Sequence, residues 1–481
     1  MVLAAAFQFK SVKGDGSVST KELAKTAAAR KKKTDPTSLS SALKNGGKVA
    51  WLSCLVMGLG NLVAGQTVKG LIFLAIELAY IAYMALSGVH CLLMLPSLGD
   101  TPAGEVWDPD QGIYIYSQGD NSQLILLYGV AAIALTVAFI VIWRASVRSG
   151  YMARNLKHGG KTIPTFKDDL KSLLDGNIHK LLMTPPFVSL LVFTIIPLAY
   201  MILMAFTNYS REDNHLMLFD WVGLDNFINL FNGSSEIGKH FMPVLGWTLV
   251  WAFFATFLNF FAGTIMAIII NRPTTRCKGL WRTILSFTIA VPQFVSLMII
   301  RSMFKDDAGV NTLLQNLGFI GSDQNLPFFT NTNWARVTII IINLWVGIPY
   351  TVMQVTGILQ NIPAEQYEAA RIDGANVVQQ FTHITLPYMI FVMTPYIITQ
   401  FTGNINNFNI IYLLSGGGPT DTGASAGHTD LLVTWLYKLS VDKQQYNLAA
   451  VIGIFTFIVL AVVALVTYRS SGSYKDEEGF K

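Results

Sequence analysis

The stretch that decides the fold is Ile362-Pro-Ala-Glu-Gln-Tyr-Glu-Ala-Ala-Arg-Ile-Asp-Gly-Ala-Asn376, which continues to Phe381-Thr-His-Ile-Thr-Leu-Pro387. It lies between two apolar windows, near residues 336–360 and 388–413. A helix that crosses a membrane needs about 20 mostly apolar residues, and both windows are long enough. The quoted stretch is therefore predicted to be a loop between two membrane spans.

The local signals in this loop predict a helix, a sharp turn and a second helix. Pro363 suits the first turn of a helix, and Glu365 and Glu368 then lie near its positively polarised N-terminal end. Asp373-Gly374 is typical of a turn. The pair Ala369-Ala370 gives the first helix a small, smooth face that could enter a groove on another protein.

Composition predicts an all-α membrane protein with about eight transmembrane helices. Of the 481 residues, 52% are apolar and 13% are charged, whereas soluble globular proteins carry about 25% charged residues. This balance excludes a soluble enzyme, a disordered chain and a disulfide scaffold. Eight windows of about 20 apolar residues qualify as spans, namely 70–95, 124–143, 184–207, 243–270, 283–304, 336–360, 388–413 and 446–468.

The distribution of basic residues orients these spans, because Lys and Arg collect on the cytoplasmic side. Residues 1–48 hold ten Lys or Arg against three acids, whereas 97–123 holds five acids and no Lys or Arg. The first region is therefore expected inside and the second outside, with one crossing between them. Counting onward places both termini in the cytoplasm. Parity alone also places the near-neutral loop 361–387 there.

The sequence divides into five regions on this basis. The short, glycine-containing segment Val49–Gly65 is left without a crossing and is predicted to be interfacial or re-entrant. The regions are a basic cytoplasmic tail (1–48), an interfacial segment with a two-helix hairpin (49–143), a basic cytoplasmic linker (144–183), a six-span core containing the loop 361–387 (184–468) and a cytoplasmic C-terminal tail (469–481).

The sequence shows no constellation of catalytic residues and no motif for metal or nucleotide binding. It has no H-x-x-x-H or C-x-x-C pattern. Gly159-Gly-Lys-Thr162 is similar to the end of a phosphate-binding loop, yet Asn155 stands where the first glycine is required. The basic run Arg30–Lys33 precedes the membrane spans, which favours a role in topology over nucleic-acid binding. The chain is expected to be no enzyme and to bind no cofactor, metal or nucleic acid.

Amide side chains inside the predicted spans are candidate binding residues, because polar groups in lipid are costly. Gln400, Asn404 and Asn407 are spaced i, i+4 and i+7 and are predicted to share one face of a helix. The alternative for each amide is a helix-to-helix hydrogen bond worth about 1 kcal/mol. The aromatic residues of these spans are predicted to serve packing, and they are Trp345, Tyr350, Phe401 and Phe408.

The loop motif resembles a known family signature. Glu368-Ala-Ala370, Gly374 and Leu386-Pro387 look like the EAA signature of permease subunits in bacterial ABC importers, and Asp373 with Phe381 resembles its carbohydrate branch. Three further stretches are similar to the larger permease subunit of maltose-type importers, namely Phe206–Ser210, Asp220–Phe227 and Leu413–Pro419. The resemblance covers about residues 180–470.

This resemblance implies a six-helix type I ABC importer permease core, preceded by the N-terminal hairpin, in the bacterial cytoplasmic membrane. It implies a malto-oligosaccharide-like substrate, a second permease subunit, two cytoplasmic ATPase subunits that bind ATP and Mg, and an extracellular sugar-binding protein. The residues implied to couple to the ATPase are Glu368, Ala369, Ala370, Asp373 and Gly374.

The resemblance also assigns a sugar site. Asn343 and Gly347, within Asn343-Leu-Trp-Val-Gly347, match sugar-lining positions of the family, as do Asn404 and Asn407. Gln293 and Gln400 fall at two more of these positions, where the maltose-specific subunit has smaller hydroxyl groups.

Several alternatives stay open at this point. One is an ABC permease for another neutral polar solute, and another is a permease for amino acids or peptides, which would call for charges in the core spans. An ion-coupled secondary transporter would need intramembrane acids or bases, and Glu77 is the sole acid well inside a predicted span. A structural or signalling membrane protein would not explain the coupling loop.

Overall fold

The computed structural model describes residues 39–470 except 109–111, 212–214, 273 and 308. Residues 1–38 of the predicted basic tail and 471–481 of the predicted C-terminal tail lie outside the described residues. The chain forms two compact units. The first unit extends to Pro96 and includes Leu124–Pro197, and the second comprises Ser97–Gln123 and the chain from Leu198 onward.

The first unit contains a two-helix hairpin. Its helices α4 and α5 are joined by Tyr80, whose ring stacks on that of Phe139 at 3.9 Å between centroids and whose hydroxyl donates to Thr136 Oγ1 at 3.1 Å. The helices that lie wholly or mainly in this unit are α1 (Leu39–Asn45), α2 (Gly47–Leu55), α3 (Leu59–Ala64), α4 (Thr67–Met94), α5 (Ser122–His158), α6 (Phe166–Leu174) and α7 (Ile178–Met204).

The apolar segment Val49–Gly65 forms two short helices, α2 and α3. Helix α2 has nine residues and α3 has six, so they are about 14 and 9 Å long. Neither helix is long enough to cross a hydrocarbon layer of about 30 Å. The helices are separated at Gly58, whose φ of +82° favours glycine and whose Cα lies against the backbone of Gly70. At this break the Met57 amide donates to the buried Glu77 carboxylate at 2.8 Å. The interfacial placement of this segment stays a prediction.

The second unit is mainly helical and contains one small antiparallel sheet. The strands β1 (Gly104–Asp108) and β2 (Ile113–Ser117) were not predicted, and Trp107 faces Tyr114 across them. The helices are α8 (Asp225–Phe231), α9 (Glu236–Asn271), α10 (Lys278–Ala290), α11 (Gln293–Met303), α12 (Gly309–Asn316), α13 (Thr332–Gln360), α14 (Ala364–Ile372), α15 (Val377–Ile405), α16 (Phe408–Leu414), α17 (Leu432–Tyr437) and α18 (Tyr446–Ser470).

Seven helices of the described chain are long and apolar enough to cross a membrane, or eight if one bent pair is a single span. This confirms the predicted all-helical membrane class. The seven are α4, α5, α7, α9, α13, α15 and α18. The predicted span 283–304 is the bent pair, because α10 and α11 meet at 90°. Val291 and Pro292 are extended at the bend, and proline cannot donate to a continuing helical ladder.

The predicted span 388–413 is wrong at its C-terminal end. Helix α15 ends at Ile405, and Asn407 begins α16 by accepting a hydrogen bond from Ile410 N at 3.3 Å. Gln400, Asn404 and Asn407 therefore do not form a stripe on one helix. The first two lie on α15 and the third lies in the break after it.

Helix α9 organises the core of the second unit. Its N-terminal half packs Trp251 in a buried cluster with Leu297 and Ile339, and its C-terminal half packs Phe260 in another with Met389. Both clusters also include residues of α13. Thr256 and Asn259 on α9 and Asn343 on α13 lie between the two clusters along their helices. This arrangement leaves a polar level in the middle of an otherwise apolar bundle.

Candidate functional site

A cavity of about 390 Å³ lies at this polar level, and we call it the amide cavity after the Asn and Gln side chains that line it. Helices α9, α13 and α15 form its walls, with Gln293 at the start of α11, Asn407 in the break before α16 and Ile410 on α16. The structure brings all six predicted sugar-site residues together in this cavity, and they are Gln293, Asn343, Gly347, Gln400, Asn404 and Asn407. No Asp, Glu, Lys, Arg or His lines its described wall.

Asn404 is held by neighbouring residues in the cavity wall. Its Nδ2 donates to Thr256 Oγ1 at 3.0 Å, and its Oδ1 accepts from Asn407 Nδ2 at 3.2 Å. Trp251 Nε1 also donates to its backbone carbonyl at 3.1 Å. Asn404 is 8% exposed. It therefore makes the helix-to-helix hydrogen bond that was the alternative to a binding role, and it still borders the cavity.

Asn343 and Asn259 share one acceptor on α9. Their Nδ2 atoms lie 3.4 and 2.7 Å from the backbone oxygen of Ala255. Gly347, one turn beyond Asn343, packs directly on the Asn259 amide, and a Cβ at this position would collide with that amide. Glycine is thus required here because a neighbouring side chain occupies the space.

Gln293 and Gln400 differ from the buried asparagines. Neither side chain makes a hydrogen bond to another residue of the described chain. Gln400 is exposed to the cavity side of α15, and Gln293 is half-buried at the start of α11. Their donors and acceptors are therefore available to a ligand without the loss of a protein hydrogen bond.

The cavity includes polar residues that sequence reasoning missed. Asn259 is 9% exposed, and its Oδ1 has no hydrogen-bond partner in the described chain. Gln354 and Tyr396 also line the wall, as does Tyr350, which was predicted to serve packing. The signal for Asn259 was present in the sequence, because it is an amide inside the apolar window 243–270.

The predicted coupling loop has the expected helix–turn–helix form. Helix α14 begins after Pro363, which precedes the first turn instead of lying within it. The helix ends where Ala375 N donates to Ala370 O at 2.8 Å, with Gly374 at φ +79°. Asn376 then caps α15 with a reciprocal pair of hydrogen bonds to Gln379.

The predicted coupling loop is open to solvent. Glu368, Ala369, Asp373 and Gly374 are exposed, and Ala370 is half-buried. Helix α14 has no buried residue. Exposed apolar side chains extend this surface into α15, and they are Ile372, Val377 and Val378.

The loop is fixed to the bundle at few points. Tyr367 Oη and Thr385 Oγ1 lie 2.8 Å apart and connect α14 to α15. A groove of about 440 Å³ runs between α14 and the C-terminal end of α9, and Glu368 and Arg371 border it. The Tyr367 contact and the turn that follows α14 are therefore the connections between α14 and α15.

Seven or eight helices that are long and apolar enough to cross a membrane, three of which line a polar, uncharged cavity, are typical of a membrane permease. Comparison with known proteins identifies the family to which the chain belongs. Residues 259–471 match the family model "Binding-protein-dependent transport system inner membrane component". The chain belongs to this family, as a permease subunit of carbohydrate ABC importers, and it is a multi-pass protein of the cytoplasmic membrane. Such a subunit is not itself catalytic, and no cofactor is expected for it.

Full-length relatives support this assignment. The galactooligosaccharides transport system permease protein GanP of Bacillus subtilis (strain 168) is 35% identical over 435 residues, covering 89% of this chain and 99% of GanP. The maltodextrin transport system permease protein MdxF of the same organism is 34% identical over 439 residues, covering 89% of this chain and 97% of MdxF. These alignments include the N-terminal hairpin as well as the core.

The solved structures agree in fold. A bacterial ABC transporter involved in the import of the acidic polysaccharide alginate matches with a TM-score of 0.52 and 22% identity. The match covers 63% of this chain and 97% of that chain.

Proposed function

We propose that this chain is the permease subunit of an ATP-driven importer of malto-oligosaccharide-like sugars and forms half of the translocation pathway. The observation that carries this proposal is the uncharged cavity, in which seven amide side chains lie at the centre of an apolar bundle. Amides both donate and accept hydrogen bonds. They can therefore satisfy the hydroxyl groups of a neutral sugar, which also donate and accept.

The lack of charged side chains in the cavity wall indicates a neutral cargo. A charged solute in a low-dielectric site requires opposite charges to offset its desolvation, and the described wall carries none. Tyr350 is 48% exposed beside the amides, and an aromatic face of this kind can pack against the apolar face of a sugar ring. A neutral, hydroxyl-rich ligand fits this wall better than an amino acid or a peptide.

Coupling would proceed through the loop around Glu368. ATP binding closes two cytoplasmic ATPase subunits, and a groove on one of them holds the exposed α14. Movement of α14 is passed to α15, which carries Gln400 and Asn404. The cavity then opens outward to receive sugar and inward after ATP hydrolysis. A second permease subunit supplies the other half of the pathway.

The remaining partners and the orientation follow from the same arrangement. Both termini lie in the cytoplasm, since the basic regions 1–48 and 144–183 favour that side. The loops 208–242 and 414–445 then face outward, where an extracellular sugar-binding protein delivers the cargo. The regions predicted from the sequence, with a core at 184–468, define the parts of the chain in this proposal.

A second cargo is favoured by a specific comparison. MdxF is named for maltodextrin, whereas GanP, which is similarly identical to this chain, is named for galactooligosaccharides. Galactooligosaccharides are also neutral and hydroxyl-rich, so the amide cavity suits both classes. The two classes of sugar differ in the direction of their hydroxyl groups. Discrimination between them would depend on the long side chains of Gln293 and Gln400, which would contact these groups.

Uptake by the complete complex tests the proposal. Proteoliposomes containing both permease subunits, the ATPase subunits and the binding protein are loaded with ATP and offered labelled sugars. The panel contains malto-oligosaccharides, galactooligosaccharides, an acidic oligosaccharide and a dipeptide, and vesicles without ATP are the control. We expect saturable, ATP-dependent uptake of malto-oligosaccharides. Uptake of galactooligosaccharides alone would reassign the cargo, and uptake of the charged solutes alone would refute the neutral-sugar assignment.

A further inference from the structure

An apolar groove of about 740 Å³ lies between the C-terminal end of α9 and the first half of α10. Apart from Thr275, the described residues of its wall are apolar, and they include Ala262, Ile269 and Trp281. Ile269 is 52% exposed and Trp281 is 51% exposed, so the described chain leaves the groove open. The proposed transport path through the amide cavity does not use this groove.

A basic segment closes one end of the groove. Residues 272–278 connect α9 to α10, and they contain Arg272, Arg276 and Lys278. The sequence has no Asp or Glu between Glu236 and Asp306. Thr275, in the middle of this connection, lines the groove. Positive charge and apolar surface therefore meet at the same place.

The positive charge of the connection is not neutralised by the described chain. The Arg276 side chain is exposed and makes no hydrogen bond or ion pair with a described residue. Lys278 Nζ donates to the backbone oxygen of Asn271 at 3.2 Å, and this acceptor is uncharged. Arg272 is also exposed, but it borders the groove beside α14. Arg276 is thus the cation most clearly available to a ligand of the apolar groove.

Hydrogen bonds fix the walls of the groove. Thr275 Oγ1 donates to the backbone oxygen of Ile269 at 2.6 Å, which holds the connection against α9. Arg282 Nη2 donates to Asn271 Oδ1 and holds α10 against the same end of α9. Asn271 Nδ2 donates to Thr356 Oγ1 of α13 at 3.0 Å. A groove shaped in advance lowers the entropic cost of binding.

The order of apolar and basic residues matches the two parts of a phospholipid. Helix α9 is apolar through Ile270, and Arg272 is the first basic residue after this stretch. This is the level at which hydrocarbon gives way to headgroups, and Trp281, a residue type enriched there, lies one turn into α10. From Ala262 to Ile270 the groove runs about 12 Å along α9. An acyl chain can follow this length while the phosphate lies beside Arg276.

We propose that this groove binds an anionic phospholipid, with one acyl chain between α9 and α10 and the phosphate beside Arg276. Basic residues at the ends of membrane helices attract anionic headgroups, and arginine matches phosphate oxygens with two parallel hydrogen bonds. An apolar helix of a partner subunit could fill the groove, but it would leave Arg276 without a counter-charge.

Lipid titration of the complete importer complex tests the proposal. The complex in mild detergent is titrated with phosphatidylglycerol or phosphatidylcholine of identical acyl chains, and bound lipids are counted by native mass spectrometry. We expect phosphatidylglycerol to bind more tightly. Arg276→Gln should weaken its binding about fivefold and change that of phosphatidylcholine by less than about twofold. Ala262→Phe fills the apolar part and should weaken both lipids about tenfold, the effect of excluding about two CH₂ groups.

Three further variants separate the groove from general effects. Arg469→Gln removes an exposed arginine at the end of α18, and Ala464→Phe enlarges a half-buried alanine of α18. Neither residue lines the groove, so both should change affinity by less than about twofold. Gly279→Arg adds a cation where a side chain meets open space and should raise phosphatidylglycerol affinity about fivefold, a gain that misfolding cannot imitate.

Four results would each overturn the proposal. They are losses in the α18 variants equal to those in the groove variants, an equal loss of both lipids in Arg276→Gln, no gain in Gly279→Arg, and no preference of the intact complex for phosphatidylglycerol. The last result is expected if a helix of the second permease subunit occupies the groove.

Discussion

The contrast between Gln400 and Asn404 separates binding from packing in the amide cavity. Both residues line the same wall of α15, one turn apart. Asn404 has two hydrogen bonds to protein side chains, to Thr256 and Asn407, whereas the Gln400 side chain has none in the described part of the molecule. Replacing each by alanine should therefore affect stability differently and sugar affinity similarly.

The magnitudes follow from these contacts. Hydrogen bonds between membrane helices average about 0.6 kcal/mol each, so Asn404→Ala should cost about 1 kcal/mol and lower the thermal midpoint by roughly 2–4 °C. Gln400→Ala should leave the midpoint unchanged. Each loses about one hydrogen bond to sugar, near 1 kcal/mol, which corresponds to roughly a fivefold weaker apparent affinity.

Two measurements on the same preparations check this. Thermal unfolding of the purified complex gives the midpoint, and ATP-dependent uptake in proteoliposomes gives the apparent sugar affinity. The reasoning is refuted if Gln400→Ala destabilises the protein as much as Asn404→Ala does. Unchanged sugar affinity in both variants would remove the amide cavity as the binding site.

Three further changes test other parts of the structure. Gly347→Ala should weaken uptake affinity roughly tenfold, because overpacking costs about 1–3 kcal/mol, whereas Gly357→Ala on the same helix meets open space and should have no effect. Gly374→Val forces a branched side chain into φ +79° and should lower uptake while ATP hydrolysis continues. Asp430→Ala removes a fully buried carboxylate from Lys438, 2.6 Å away, and should lower unfolding free energy by about 3–5 kcal/mol.

The outcomes that contradict these predictions are distinct. Equal uptake in Gly347→Ala and Gly357→Ala would show that the close packing at residue 347 does not shape the cavity. Normal coupled uptake in Gly374→Val would remove the coupling role of the loop. An unchanged unfolding midpoint in Asp430→Ala would mean that the buried ion pair is not needed for stability.

The sequence was sufficient to predict the spans because few backbone conformations are stable in lipid. Backbone polar groups in hydrocarbon must pair within the helix, so windows such as 243–270 and 446–468 marked helices directly. Their true ends extend further, as in Glu236–Asn271 and Tyr446–Ser470, because helices continue beyond the hydrocarbon into polar sequence. Hydropathy detects the apolar part of a helix and not its ends.

Breaks inside apolar segments were harder to predict. Pro292 gave a local signal for the bend before α11, but the end of α15 at Ile405 had none, since Asn406 and Asn407 are tolerated in helices as well as in caps. The strand β2 was also missed, although Ile113-Tyr-Ile-Tyr116 is typical of a strand. Short elements in the outer loop depend on pairing with a partner segment, which periodicity alone does not reveal.

Gln400, Asn404 and Asn407 were predicted from their polarity and spacing, whereas Gln293, Asn343 and Gly347 were assigned from the family resemblance, and the error concerned how these residues meet. Asn407 reaches the cavity because the chain breaks and turns, and not because it continues the face of Asn404. Asn259 was overlooked although, like Asn404, it is an amide inside a predicted span. Consistent use of that rule on every span would have found it.

In the proposed function, the two helix breaks at the cavity separate anchoring in the bilayer from recognition of the cargo. Gln293 follows the 90° bend, and Asn407 follows the end of α15. The apolar helices on either side fix the protein in the bilayer through their length, whereas these two positions lie where the helical ladder is interrupted. Substitutions there would alter the wall proposed to meet the cargo and would leave the hydrophobic length of every span unchanged. The sugar specificity of such a transporter can therefore change without a change in how its helices insert into the membrane.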